Sequence, residues 1–73
     1  MSNWTSVYKG KNIFRANVLK NELAEKGIES IVIDKIDHLY PFLGYAELLV
    51  NKDQVEIAKI TIDNFVLDDK ETD

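Results

Sequence analysis

"LAEKGIESIVI", residues 23–33, joins the end of one periodic pattern to the start of another, and that joint decides the fold. Upstream of it Ile13, Ala16, Leu19 and Leu23 recur at steps of three and four, which lines them up along one side of a helix. Arg15, Lys20, Glu22 and Glu25 are left for water, and Asn12 stands where a helix needs an N-cap. Gly27 supplies the left-handed residue that ends many helices, and Ile28 just beyond it can fold back onto the last turn. From Ile28 the period changes. "IESIVI" is β-branched and apolar at neighbouring positions, the pattern of a strand with both faces at least partly covered.

Working outward, "WTSVY" at residues 4–8 mixes aromatic and β-branched residues and stops at a Lys-Gly-Lys turn, which predicts a first strand. Simple alternation puts Trp4, Ser6 and Tyr8 on one face and Thr5 and Val7 on the other. "AELLV", residues 46–50, reads as a third strand. Asn51 with Gln54 forms a variant capping box, and Val55, Ala58, Ile62 and Phe65 then mark a second amphipathic helix to about Asn64. Ile57 and Ile60 widen its apolar face, so part of it is expected to touch something other than its own sheet. "VLDD", residues 66–69, could add a short last strand.

The order β-α-β-β-α predicts an α+β fold: a two-layer ferredoxin-like sandwich with sheet order 1-3-2. A right-handed crossover from strand one leaves a gap that strand three fills, while two one-sided helices cover a single sheet face. Trp4, Tyr8, Val32 and Leu49 are expected on the other, open face, and a homodimer is expected through it.

A chain of 73 residues has room for one domain, read here as residues 1–66. It has no cysteine, so neither disulfides nor a Cys/His zinc cluster can staple it. The net charge of −4 is unevenly spread. Residues 1–62 carry eight basic and eight acidic side chains, whereas 63–73 carry five acidic and one basic, which predicts an acidic, disordered tail over 67–73. A neutral body offers no basic face to nucleic acid. The third strand, "GYAELLV", also lacks the RNA-recognition motif and puts Glu47 where bases would stack. No apolar run reaches a membrane span or a signal-peptide core, so a cytoplasmic protein without membrane contact is expected.

Candidate sites are few. "DHLYPFLGY", residues 37–45, concentrates the only His, the only Pro and three aromatic residues between two strands. Asp37, His38, Tyr40, Phe42 and Tyr45 are the candidate interaction residues for an unidentified protein partner. Pro41 and Gly44 are expected to turn the chain, Gly44 by taking positive φ, and some of the aromatics to fold down over the sheet or helix ends. Lys9, Gly10, Lys11 and Asn12 precede a helix N-terminus and form a candidate anion corner, the alternative reading being a small-molecule sensor for an amino acid, nucleotide or other anion. His38 has no second His or Cys for a metal and no neighbouring Ser or Thr to activate. No cofactor, metal or catalytic residue is therefore predicted, and a non-enzyme is expected.

"WTSVY", the helix with Ala16 and Leu23, Lys26-Gly27-Ile28, Asp37-x-x-Tyr40, Gly44, "ELLV" and Ala58 together resemble the bacterial family of prokaryotic signal transducing proteins. The likeness covers roughly residues 4–65. It implies a GlnB-like fold, in which the loop between strands two and three carries effector and partner contacts. It implies a regulatory role by binding, and brings no catalytic residues with it. The loop here is much shorter than in GlnB-type regulators, and their basic ATP-phosphate ligands are missing.

Overall fold

The computed structural model describes residues 3–40 and 43–71, with side chains as far as Phe65. The elements are β1 (Trp4–Gly10), α1 (Ile13–Glu25), β2 (Ser30–Lys35), β3 (Tyr45–Asn51) and α2 (Val55–Glu71), with a 3₁₀ turn at Lys52–Gln54 leading into the last helix. Both outer strands pair antiparallel with β3, giving the expected order β1-β3-β2. β1 and β2 therefore run parallel to each other.

Capping chemistry sets the ends of α1. The Asn12 side-chain oxygen accepts from the amides of Phe14 at 3.0 Å and Arg15 at 3.3 Å, two of the donors a helix start leaves unpaired. At the other end the amide of Ile28 donates to the Leu23 carbonyl and that of Gly27 to the Ala24 carbonyl. That pair of bonds is a Schellman motif, and Gly27 has the positive φ, 79°, that it needs. Ile28 and Leu23 are both buried in the core, which supplies the hydrophobic contact that accompanies such an ending.

β3 shows strict alternation: Ala46, Leu48 and Val50 are buried, while Tyr45, Glu47, Leu49 and Asn51 are half-exposed. The buried set packs with Leu19 and Leu23 of α1 and Ala58 and Ile62 of α2, so both helices cover one face. Full burial of a Leu or Val contributes about 1.5–3 kcal/mol. Leu19, Leu23, Leu48 and Val50 are the largest side chains that reach it.

Simple alternation fails in β1. Ser6 pairs with Leu49 but Tyr8 pairs with Leu48, two steps on one strand against one on the other, so Val7 is the extra residue of a β-bulge. The bulge reverses parity. Thr5 and Tyr8 both lie on the helix face, and Val7 and Tyr8 pack together against the core. Tyr8 is thus not on the open face, and neither is Val32, whose partner is the buried Leu48. Trp4 and Leu49 do face the open side, joined by Ile31, Ile33, Glu47 and Tyr45.

α2 runs seven residues past the expected end at Asn64. Residues 66–69 are consequently helical rather than a last strand, and 67–71 of the expected tail belong to the same helix. Two apolar residues followed by four charged ones, as in 66–71, have no strand alternation and suit a continuing helix turn.

Two buried hydroxyls behave differently. Thr61 donates to the Ile57 carbonyl at 2.8 Å, whereas the buried Ser30 Oγ has no partner among the described residues. Leaving a buried polar group unpaired costs about 1–3 kcal/mol. Ser30→Ala should therefore stabilise the fold by roughly 1 kcal/mol, seen as a higher urea midpoint at unchanged slope. A lower midpoint would refute that account of Ser30.

Candidate interaction surface

In the connection between β2 and β3, residues 36–40 are held by side chains bonding to nearby backbone. Asp34 accepts from the Ile36 amide at 3.0 Å. One oxygen of Asp37 accepts from the amides of Leu39 at 2.8 Å and Tyr40 at 3.0 Å, and the Tyr40 carbonyl accepts from Leu43 at 2.8 Å. These Asx-type bonds replace the ladder the strands no longer supply.

Gly44 closes the loop by a route other than the one expected. Among the described residues Gly27 is the glycine with positive φ; Gly44 instead is buried where a Cβ would collide with the Lys35 carbonyl oxygen and lie 2.6 Å from the Asp37 nitrogen and Ile36 Cα. Close backbone approach, not a left-handed conformation, selects glycine there.

The tied-down loop turns its apolar side chains outward. Leu39 is 83% exposed, Tyr40 54% and Leu43 63%, so Tyr40 does not fold over the sheet. His38 is exposed beside them. Phe42 and Pro41 lie outside the described residues. Tyr45 belongs elsewhere: it sits on the open sheet face with the Lys9 ammonium 4.7 Å and the Lys35 ammonium 5.7 Å from its ring centre, within cation–π range. Sequence reasoning watched the aromatics and missed Leu39 and Leu43. Their signal was present, as two leucines in a segment with neither helical nor strand period.

Of the corner Lys9, Gly10, Lys11 and Asn12, the first two and the last do not converge. Lys9 is drawn to Tyr45 on the open face, Gly10 pairs with Ala46 on the helix side, and Asn12 already occupies two of the helix amides an anion would use. Next to this corner, Asn12, Phe14, Arg15 and Val18 of the α1 start and Phe65 of α2 line an open groove of about 220 Å³. Phe14 on its rim is 73% exposed. Among the described residues no three His, Asp or Glu side chains gather as a metal site would require, and no helix is long and apolar enough to cross a membrane.

The two amide bonds, Tyr40 first and then Leu39, hold the Asp37 carboxyl below its ordinary pKa, since both favour the charged form. A depressed folded value means that this stabilisation is complete above the unfolded value of about 3.9 and is lost as pH falls through the lower folded one.

No protein-family model, curated protein or solved structure matches the chain. The functional reading rests on the surface just described.

Two substitutions check how the loop is held. Asp37→Ala should speed hydrogen exchange at the Leu39 and Tyr40 amides, while Asp37→Asn, which keeps an acceptor oxygen, should largely preserve protection and remove its loss in acid. Gly44→Ala should cost about 2 kcal/mol or more, as overpacking against backbone does. Gly27→Ala, with open space but positive φ, should cost about 1 kcal/mol. Equal costs at the two glycines would contradict the distinction drawn between them.

Proposed function

We propose that the chain is a non-catalytic, cytoplasmic regulatory module that acts by binding a protein partner through the β2–β3 loop. The observation that carries this is the exposure of Leu39, Tyr40 and Leu43 on a loop fixed by Asp34, Asp37 and Gly44. An apolar cluster held in one shape loses little entropy on binding, which is the usual advantage of a preorganised contact. In this reading the sheet and helices are a ferredoxin-like, GlnB-like sandwich without its last strand, and the chain is a member of the prokaryotic signal transducing family. The placement of Lys9 and the caps of Asn12 make the small-anion sensor the weaker reading.

Pull-downs from native lysate should retain a partner with the wild type and lose it with Tyr40→Ala and Phe42→Ala. Lys9→Ala with Lys11→Ala should have no effect on it. The reverse pattern, together with a thermal shift by phosphate or an amino acid, would favour the sensor.

A second contact is favoured by a separate observation. Trp4 and Ile31 stay exposed on the open face, with Leu49 and Ile33 half-covered beside Ile31. β2 is apolar on both sides, as in strands with a layer on each face. We propose a second copy as that layer. Light scattering should give twice the monomer mass for the wild type and the monomer mass for Ile31→Glu; an unchanged mass in the variant would exclude this face.

A further inference from the structure

β2 forms one edge of the sheet, and its outer side is unpaired among the described residues. It pairs with β3 on one side only, so every second residue of Ser30–Lys35 directs its N–H and C=O groups away from the sheet. β1, the other edge, carries the bulge at Val7, a common device against the addition of a further strand. β2 keeps an unbroken register with β3, and its centre, Ile31, Val32 and Ile33, is β-branched throughout. A regular, apolar edge of this kind is a template for another strand.

We infer that β2 pairs antiparallel with β2 of a second copy, about a two-fold axis at Val32, so that two three-stranded sheets join into one continuous sheet. The occupant is argued from register. Neighbouring strands stay in one sheet only when same-facing residues stand opposite each other, so the axis must pass through a residue and not between two. Centred on Val32, every pair is matched. Ile31 stands opposite Ile33 of the second copy on the open face, Val32 opposite its own counterpart on the helix face, and Ser30 opposite Asp34. Glu29, just before the strand, stands opposite Lys35.

The two-fold axis repeats each of these pairs, which puts an ion pair at both ends of an apolar centre. Glu29 and Lys35 are both exposed. The Lys35 ammonium lies 5.7 Å from the Tyr45 ring centre, close to the outer limit of about 6 Å for a cation–π contact. Lys9 holds the same ring at 4.7 Å, so Lys35 can turn to a carboxylate without leaving Tyr45 uncovered.

The adjacent registers lack this match. An axis at Ile31 sets Glu29 against Ile33 and Ile28 against Asp34, whereas one at Ile33 sets Glu29 against Asp37 and Val32 against Asp34. Complementarity of the strand to itself, at one register, is the reason to name a second copy rather than a strand of another protein. The contact extends the sheet, while the one proposed on the open face covers it. Neither depends on the other.

Sedimentation velocity of the full chain from about 10 µM to about 1 mM covers the range of weak interfaces. Glu29→Lys and Lys35→Glu should each weaken self-association about tenfold, because each sets like charges opposite one another at both ends. Both positions are exposed, so circular dichroism should show both variants folded. An equimolar mixture should recover the wild-type association, since one copy then presents two lysines to two glutamates of the other. A cross-link reads the axis directly. The chain has no cysteine, and Val32→Cys places one thiol on the axis, with Cα atoms about 4.5–5.5 Å apart and within disulfide reach. Mild oxidation should give a covalent dimer there. Asp34→Cys should give none, because the two positions lie about 13 Å apart along the strands. Val32 faces the helices, so a dimer through the open face would not form the Val32→Cys cross-link. The inference is overturned if either charge variant associates as the wild type does, if the mixture is no better than its components, or if thiols at 32 and 34 cross-link equally. A wild type that stays monomeric throughout overturns the second copy as occupant.

Discussion

Everything in this molecule depends on β3 being hydrogen-bonded along both edges. It is the strand to which β1 and β2 both pair, and its alternating Ala46, Leu48 and Val50 give the two helices a surface to cover. Because side-chain direction in a strand has period two, the same alternation commits Tyr45, Glu47, Leu49 and Asn51 to the other face. The division between a covered and an uncovered side is therefore settled by one seven-residue segment. A domain of this size hides only about 60% of the surface its unfolded chain exposes. Two helices cannot cover both sides of the sheet.

Where the chain obeys a local rule, its sequence reveals the outcome. Asn12, Gly27 and Ile28 act through residues two to five positions away, so their roles at the ends of α1 follow from type and spacing. The strand order follows from connection rules, because a crossover between parallel strands leaves a gap for a third. The bulge at Val7 is different in kind. Nothing in "WTSVYKG" is irregular, and the extra residue appears only in register with β3, where Ser6 meets Leu49 and Tyr8 meets Leu48. A pairing property cannot be read from one strand. Its consequence is large, since it moves Tyr8 against the core on the helix face and Lys9 onto the open face.

The β2–β3 loop was legible in place, but which of its side chains face water was not. The concentration of turn formers and aromatics at 37–45 marked the connection between β2 and β3, because such residues gather where a chain reverses. The loop's shape was set by contacts invisible to periodicity: the bonds of Asp37 to two amides, and the close approach of the Gly44 backbone to residues 35–37. Leu39 and Leu43 are left exposed, while Tyr45, one residue past Gly44, is captured by the pleat of β3. The corner at Lys9 to Asn12 dissolved for a related reason. The bulge aims Lys9 at Tyr45, so residues adjacent in sequence point to different sides of the sheet.

This geometry links stability to association. A small sheet covered on one side, with no cysteine to form a disulfide, retains apolar surface on its open face and in its β2–β3 loop. Any partner that binds only the folded chain adds stability by mass action, about 2.7 kcal/mol at a hundredfold excess over its dissociation constant. Against the 5–15 kcal/mol typical of whole domains, that is a substantial share. Residues such as Ile31 and Leu39, which contribute little to the isolated fold, then govern how much of the chain is folded at a given partner concentration. The exposed leucines and the open sheet thus have the same physical origin: two helices on one face of a three-stranded sheet leave apolar side chains on the other face and in the loop uncovered.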